Sequence, residues 1–132
     1  MAIRRPAVAG AFYASSPEKL REQITNSFKH NLGPGRLPSE KKDSNILSVV
    51  CPHAGYVYSG PAAAHCYLSL GEQHAPETVV IIGPNHTGFG TAVSVMTEGA
   101  WSTPLGEIKI DSELAEKIIE YSDTARKDDS AF

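Results

Sequence analysis

The chain has 132 residues, room for one domain, and its 12 Lys and Arg against 15 Asp and Glu leave a formal net charge of −3. That acidic balance argues against the basic face by which proteins hold nucleic acid. Hydrophobic residues at 41% and charged residues at 20% exclude a disordered composition.

From the N-terminus, Met1 to Pro6 is basic but no long apolar region follows, so it does not read as a secretory signal. Pro6-Ala-Val-Ala-Gly-Ala-Phe-Tyr13 is expected to be an irregular or extended lead-in. Leu20, Ile24 and Phe28 recur at helical spacing, which predicts an amphipathic helix over 17–30. Its start is open between Ser16 as N-cap with Pro17 at the first position and a capping box of Ser15 with Glu18. Residues 31–45 hold Gly33, Gly35, Pro38 and a charged run, the pattern of a solvated loop.

Ile46-Leu-Ser-Val-Val-Cys51 is a β-branched run stopped by Pro52, the pattern of a strand covered on both faces. Pro61 to Leu70 is Ala-rich and predicted helical, with Gly71 as its terminator. Thr78-Val-Val-Ile-Ile82, stopped by Gly83 and Pro84, is the second strand. Ala92 to Met96 is a third strand candidate and Glu107 to Ile110 a fourth. Asp111 or Ser112 caps a last helix running to about Tyr121, and Ser122 to Phe132 is polar and carries no structural signal. The sum is an α/β fold, with a mostly parallel sheet flanked by helices and a βαβ unit spanning 46–82. That sheet is thin, because one covered on both faces usually has more strands.

No apolar stretch is longer than a strand, so no membrane partner is expected. Two cysteines, Cys51 and Cys66, are too few for a disulfide scaffold and point to a reducing, cytoplasmic setting.

The chemistry concentrates after the two Pro-terminated runs, in Cys51-Pro-His53-Ala-Gly-Tyr56-Val-Tyr58-Ser-Gly60 and Gly83-Pro-Asn85-His86-Thr-Gly88. His53 and His86 are 33 residues apart, about one βαβ unit, so parallel strands would carry both to the carboxyl edge of the sheet, where open α/β sheets bind ligands. Strands ~4.8 Å apart and metal–imidazole bonds of ~2.0–2.1 Å allow both rings to reach one ion. Two histidines and one carboxylate with open positions suit non-haem Fe(II), but spacing selects none among Asp111, Glu98 and Glu107. Two loop histidines brought near each other by topology alone is the competing reading. His65, mid-helix, is either packed or a proton-transfer group. Tyr56 and Tyr58 either line the pocket as hydroxyl donors, Tyr56 then with a part in catalysis, or pack on the helix. Asn85 either fixes its turn or contacts a ligand, and Trp101 either walls the pocket or belongs to the core. Cys51 either supplies a thiolate ligand two positions from His53 or, like Cys66, is a small buried hydrophobe, and His30 and His74 read as surface residues.

Pro52-His53-Ala-Gly-Tyr56-Val-Tyr58-Ser-Gly60 and Gly83-Pro-Asn-His86 resemble the MEMO family, and agreement extends to Pro6–Tyr13, Ala63–Tyr67 and Thr103–Gly106 with Ile110-Asp111. The resemblance implies a fold similar to LigB-type class III extradiol dioxygenases, which are non-haem Fe(II) enzymes. It implies a metal pocket with His53 and His86 as ligands, Fe(II) as metal, and copper or zinc as alternatives. It implies a metal-dependent redox or dioxygenase-like activity. The alternative is a non-enzymatic adaptor taking a phosphorylated or anionic peptide in the same pocket, since the eukaryotic relative is described as recognising phosphotyrosine. Members are about twice as long, with a further ligand in their second half. Residues 1–132 are therefore expected to be the N-terminal half of one domain, and the isolated chain, its sheet lacking the other half, to be poorly folded or to form homo-oligomers. Cys51 departs from the family, where a small or different residue usually precedes Pro-His.

Overall fold

A computed structural model describes residues 3–39 and 45–132; residues 40–44 of the predicted 31–45 loop lie outside the described set. The chain is mixed α/β, with three helices and short, mostly parallel sheets among the described residues, and divides into two compact units.

The unit Ala7–Glu77 is built on two helices, α1 (Pro17–Lys29) and α2 (Tyr56–Gly71). The open choice at the start of α1 resolves to Ser16, whose Oγ accepts from the Lys19 amide at 3.2 Å, with Pro17 at the first position. Leu20 and Phe28, two members of the predicted stripe, are buried. Ahead of α1, the Ala14 amide donates to the Gln23 side chain at 2.9 Å, tying the lead-in to the helix. The helices meet closely at Gly60, where an added Cβ would lie 2.5 Å from the Ser27 Oγ.

Helix α2 begins five residues before the expected start at Pro61. The Tyr56 amide donates to the Phe12 carbonyl at 2.9 Å, and the Ser59 hydroxyl donates to the Ala54 carbonyl at 3.0 Å, so the first turn closes without a conventional cap. Pro61 is tolerated inside because the carbonyl it leaves without an amide donor belongs to Val57, a residue open to water. At the other end the Arg36 guanidinium donates to the buried Glu72 carboxylate.

The unit formed by residues 3–6 with Thr78–Phe132 holds all the strands found among the described residues. Strand β1 (Ile3–Arg4) and strand β2 (Val93–Val95) open two sheets. Strand β3 (Ala100–Thr103) pairs parallel with β1 and antiparallel with β4 (Gly106–Lys109), while β5 (Ala125–Lys127) pairs parallel with β2. Helix α3 (Ser112–Glu120) lies in sequence between β2 and β5, giving the parallel βαβ-like arrangement; Asp111 is its N-cap, accepting from the Leu114 amide at 3.0 Å. Strands β2 and β4 match the predicted third and fourth strands, whereas β1, β3 and β5 arise in segments without a strong pattern. β5 forms in the stretch expected to carry no structure.

The predicted strands 46–51 and 78–82 do not pair into a ladder. Leu47 and Val50 are 97% and 98% exposed and Ile82 is 93% exposed. β-propensity describes a fit to a pleated, half-buried surface, and it cannot act where no neighbouring strand supplies that surface. Ile46 is held instead by the Gln73 side-chain amide, which donates to its carbonyl at 3.3 Å and accepts from its amide at 3.2 Å.

Candidate functional site

The two histidines expected at strand tips lie in irregular loops, because the runs preceding them form no ladder. His53 belongs to the Ala7–Glu77 unit and His86 to the Thr78–Phe132 unit, and both are exposed. Among the described residues no group of three or more His, Cys, Asp or Glu side chains is arranged to hold a metal ion.

Along α2 and the segment before it the unit gathers phenols and thiols. Tyr56 opens α2, half-buried, with its ring centroid 5.6 Å from that of Tyr13. Burial first, then neighbouring Tyr67, Tyr13 and Cys51, push the Tyr56 hydroxyl above the ordinary phenol range. Partial burial, then Cys51 and Cys66, do the same for Tyr67. Both phenols therefore stay protonated at neutral pH, which suits hydrogen-bond donation and opposes use as a base. Burial, followed by the Cys66 thiol, raises Cys51. His65 projects outward from α2, its Nε2 3.1 Å from the Leu32 carbonyl.

Tyr56 and Tyr58 also line an open cavity of about 570 Å³ between α1 and α2, together with Lys19, Glu22, Asn26 and His30. Neither His53 nor His65 borders it. Sequence reasoning missed this groove and placed His30 on a plain surface. The mixed polar and apolar faces of residues 17–30 and 56–62 were the available signal.

In the other unit Asn85 organises the loop that carries His86. Its Oδ1 accepts from the Thr87 and Gly88 amides at 3.1 and 3.0 Å, and its Nδ2 donates to the Phe89 carbonyl at 2.6 Å. This is the turn-fixing role, natural for an Asn side chain that binds backbone just ahead of it. The loop ends at Gly90 and Thr91, where the Thr91 amide donates to the Asp128 carboxylate at 2.8 Å. Gly90 adopts φ +87°, and a Cβ there would meet the Ser94 Oγ at 2.6 Å. Hydrogen bonds from Ser130, and then from Thr91 and Ser94, hold Asp128 below the ordinary carboxylate range. Trp101 packs within its unit: Nε1 donates to the Met96 Sδ at 3.1 Å, the Arg4 guanidinium lies 4.2 Å from the ring, and Phe132 is 5.8 Å away. Of the carboxylates considered as ligands, Asp111 accepts from Thr78 as well as Leu114, and Glu98 pairs with Lys127.

Fold and loops together define a mixed α/β protein whose chemistry-bearing residues follow two Pro-terminated apolar runs. The model of the Memo-like protein family matches residues 4–132, and the chain belongs to that family. It is 55% identical over 129 residues to a MEMO1 family protein of Methanothermobacter thermautotrophicus, covering 98% of this chain and 47% of that relative. A MEMO1 family protein of Methanopyrus kandleri is 57% identical over 117 residues, covering 88% of this chain and 41% of the relative. One from Sulfurisphaera tokodaii is 50% identical over 132 residues, covering 98% and 46%. The chain thus spans about half the length of the curated relatives it matches. Among the described residues no helix is long and apolar enough to cross a membrane.

Proposed function

We propose that this chain supplies His53 and His86 to a metal-binding pocket of the non-haem type, serving a redox or dioxygenase-like activity in the cytoplasm. The observation that carries the reading is family membership with both histidine motifs intact, Pro52-His53-Ala-Gly and Gly83-Pro-Asn-His86, each following an apolar run that a proline stops. Two imidazoles fall short of the three or more protein ligands that such sites use. The described residues therefore fit only part of the site, and no reaction step is derived through the metal. The same reading makes residues 1–132 the N-terminal half of a domain of about twice that length, with the remaining donor outside them. Fe(II) fits two histidines with an oxygen donor best, ahead of copper or zinc. A bound ion of this kind would supply an open coordination position for O₂ or a phenolic substrate. Tyr56, kept protonated, is suited to donate a hydrogen bond to such a substrate.

Emission spectroscopy of the complete gene product, purified anaerobically, tests the reading. One iron per chain, with oxygen uptake on adding catechols, is the expected result. Protein without stoichiometric metal that binds phosphorylated peptide, and still does so as His53→Ala, would replace it with an adaptor function.

A further inference from the structure

Cys66 is displayed from α2, and its Sγ donates to the Val50 carbonyl at 3.3 Å, which sets it beside the residue next in sequence. That residue is Cys51, whose thiol is pushed up by burial first and then by the neighbouring Cys66 thiol. Both cysteines are free and both are partly exposed. Disulfide formation needs two sulfurs in reach and backbones able to adjust, since the bond tolerates only a narrow range of geometry. One side of this pair is a helix. The other is the 46–51 segment, which belongs to no ladder and can shift without breaking one. A partly exposed pair on an adjustable segment is the setting of labile, reversible disulfides rather than of structural ones.

We propose that Cys51 and Cys66 form a reversible intramolecular disulfide, a redox site that fastens the His53-bearing turn to α2. The oxidant is a low-molecular-weight disulfide of the glutathione class. One cysteine thiolate attacks it, forming a mixed disulfide and releasing one equivalent of small thiol. The second cysteine then attacks the protein sulfur of that mixed disulfide, forms the Cys51–Cys66 bond and displaces the second equivalent. The small disulfide accepts the two electrons, and the two released small thiols carry away the two protons. The site is independent of the metal reading, because it needs only the two thiols.

Full-length protein equilibrated with oxidised glutathione, then alkylated and digested with chymotrypsin, tests the pair. No Lys or Arg lies between Lys42 and Lys109, so trypsin would leave both cysteines on one peptide, whereas cleavage after Tyr56 or Tyr58 separates them. The expected result is a linked pair of peptides holding Cys51 and Cys66. Alkylation of both should fall at least tenfold and be restored by dithiothreitol. In Cys51→Ser, Cys66 should instead accumulate a single glutathione adduct. The proposal is overturned if both wild-type thiols stay alkylatable, if each carries its own adduct, or if the link joins two protein molecules.

Discussion

The segments richest in β-branched residues and the segments that form strands are different parts of this molecule. Thr78–Ile82 is almost wholly apolar, yet it is unladdered, with Val79 65% and Ile82 93% exposed. Ala125-Arg-Lys127 holds two charged residues in three, yet it pairs in register with Val93–Val95 and buries Ala125 to 1% exposure. A strand is made by its partner. The hydrogen-bonding edge and the packed face that give a β-former its advantage come from neighbouring chain. Where they are present a short polar segment folds, and where they are absent a strong pattern stays unused.

Substitutions can break that contrast. Ala125→Asp places a carboxylate in a closed position and should cost about 3–5 kcal/mol, as an uncompensated buried charge does. Val50→Asp, at a site open to water, should change stability by no more than about 0.5 kcal/mol. Urea unfolding followed by circular dichroism measures both, and equal losses would erase the distinction between paired and unpaired segments. Gly60→Val tests the helical unit, where close approach does the packing. Forcing a branched side chain against Ser27 should cost about 1–3 kcal/mol, with Ala62→Val at an exposed α2 position as the control.

The smallest effect concerns acid. Hydrogen bonds from the Leu114 amide, then from Thr78, hold Asp111 below the ordinary carboxylate range. A carboxylate whose folded value is depressed contributes fully above its unfolded value, and the contribution is lost as pH falls through the folded one. Asp111→Asn should therefore flatten the acid limb of the stability curve and leave stability above neutral pH with little further pH dependence. An unchanged acid limb in that variant would remove Asp111 from the account.

Much of this architecture was legible in the sequence, for local reasons. Ser16 with Pro17, and Asp111 ahead of Leu114, are short-range capping signals, and helices α1 and α3 follow them closely. The start of α2 was not legible, because Tyr56 and Ser59 close its first turn onto Phe12 and Ala54 rather than through a capping side chain. β5 was hidden for the reason that 46–51 misled: pairing depends on distant chain. At the site, the turn role of Asn85 follows from residue chemistry, whereas the half-buried packing of Trp101 against Arg4, Met96 and Phe132 depends on distant chain. The thiol pair could not be read, since fourteen residues lie between Cys51 and Cys66 and only the seating of α2 joins them.

The assignment of the two histidines is tested most directly by metal content in single variants of the complete gene product, measured by emission spectroscopy beside circular dichroism. His53→Ala and His86→Ala should each lose most of the bound iron while staying folded, and His74→Ala, on the exposed surface, should retain it. Full retention in all three would contradict the assignment.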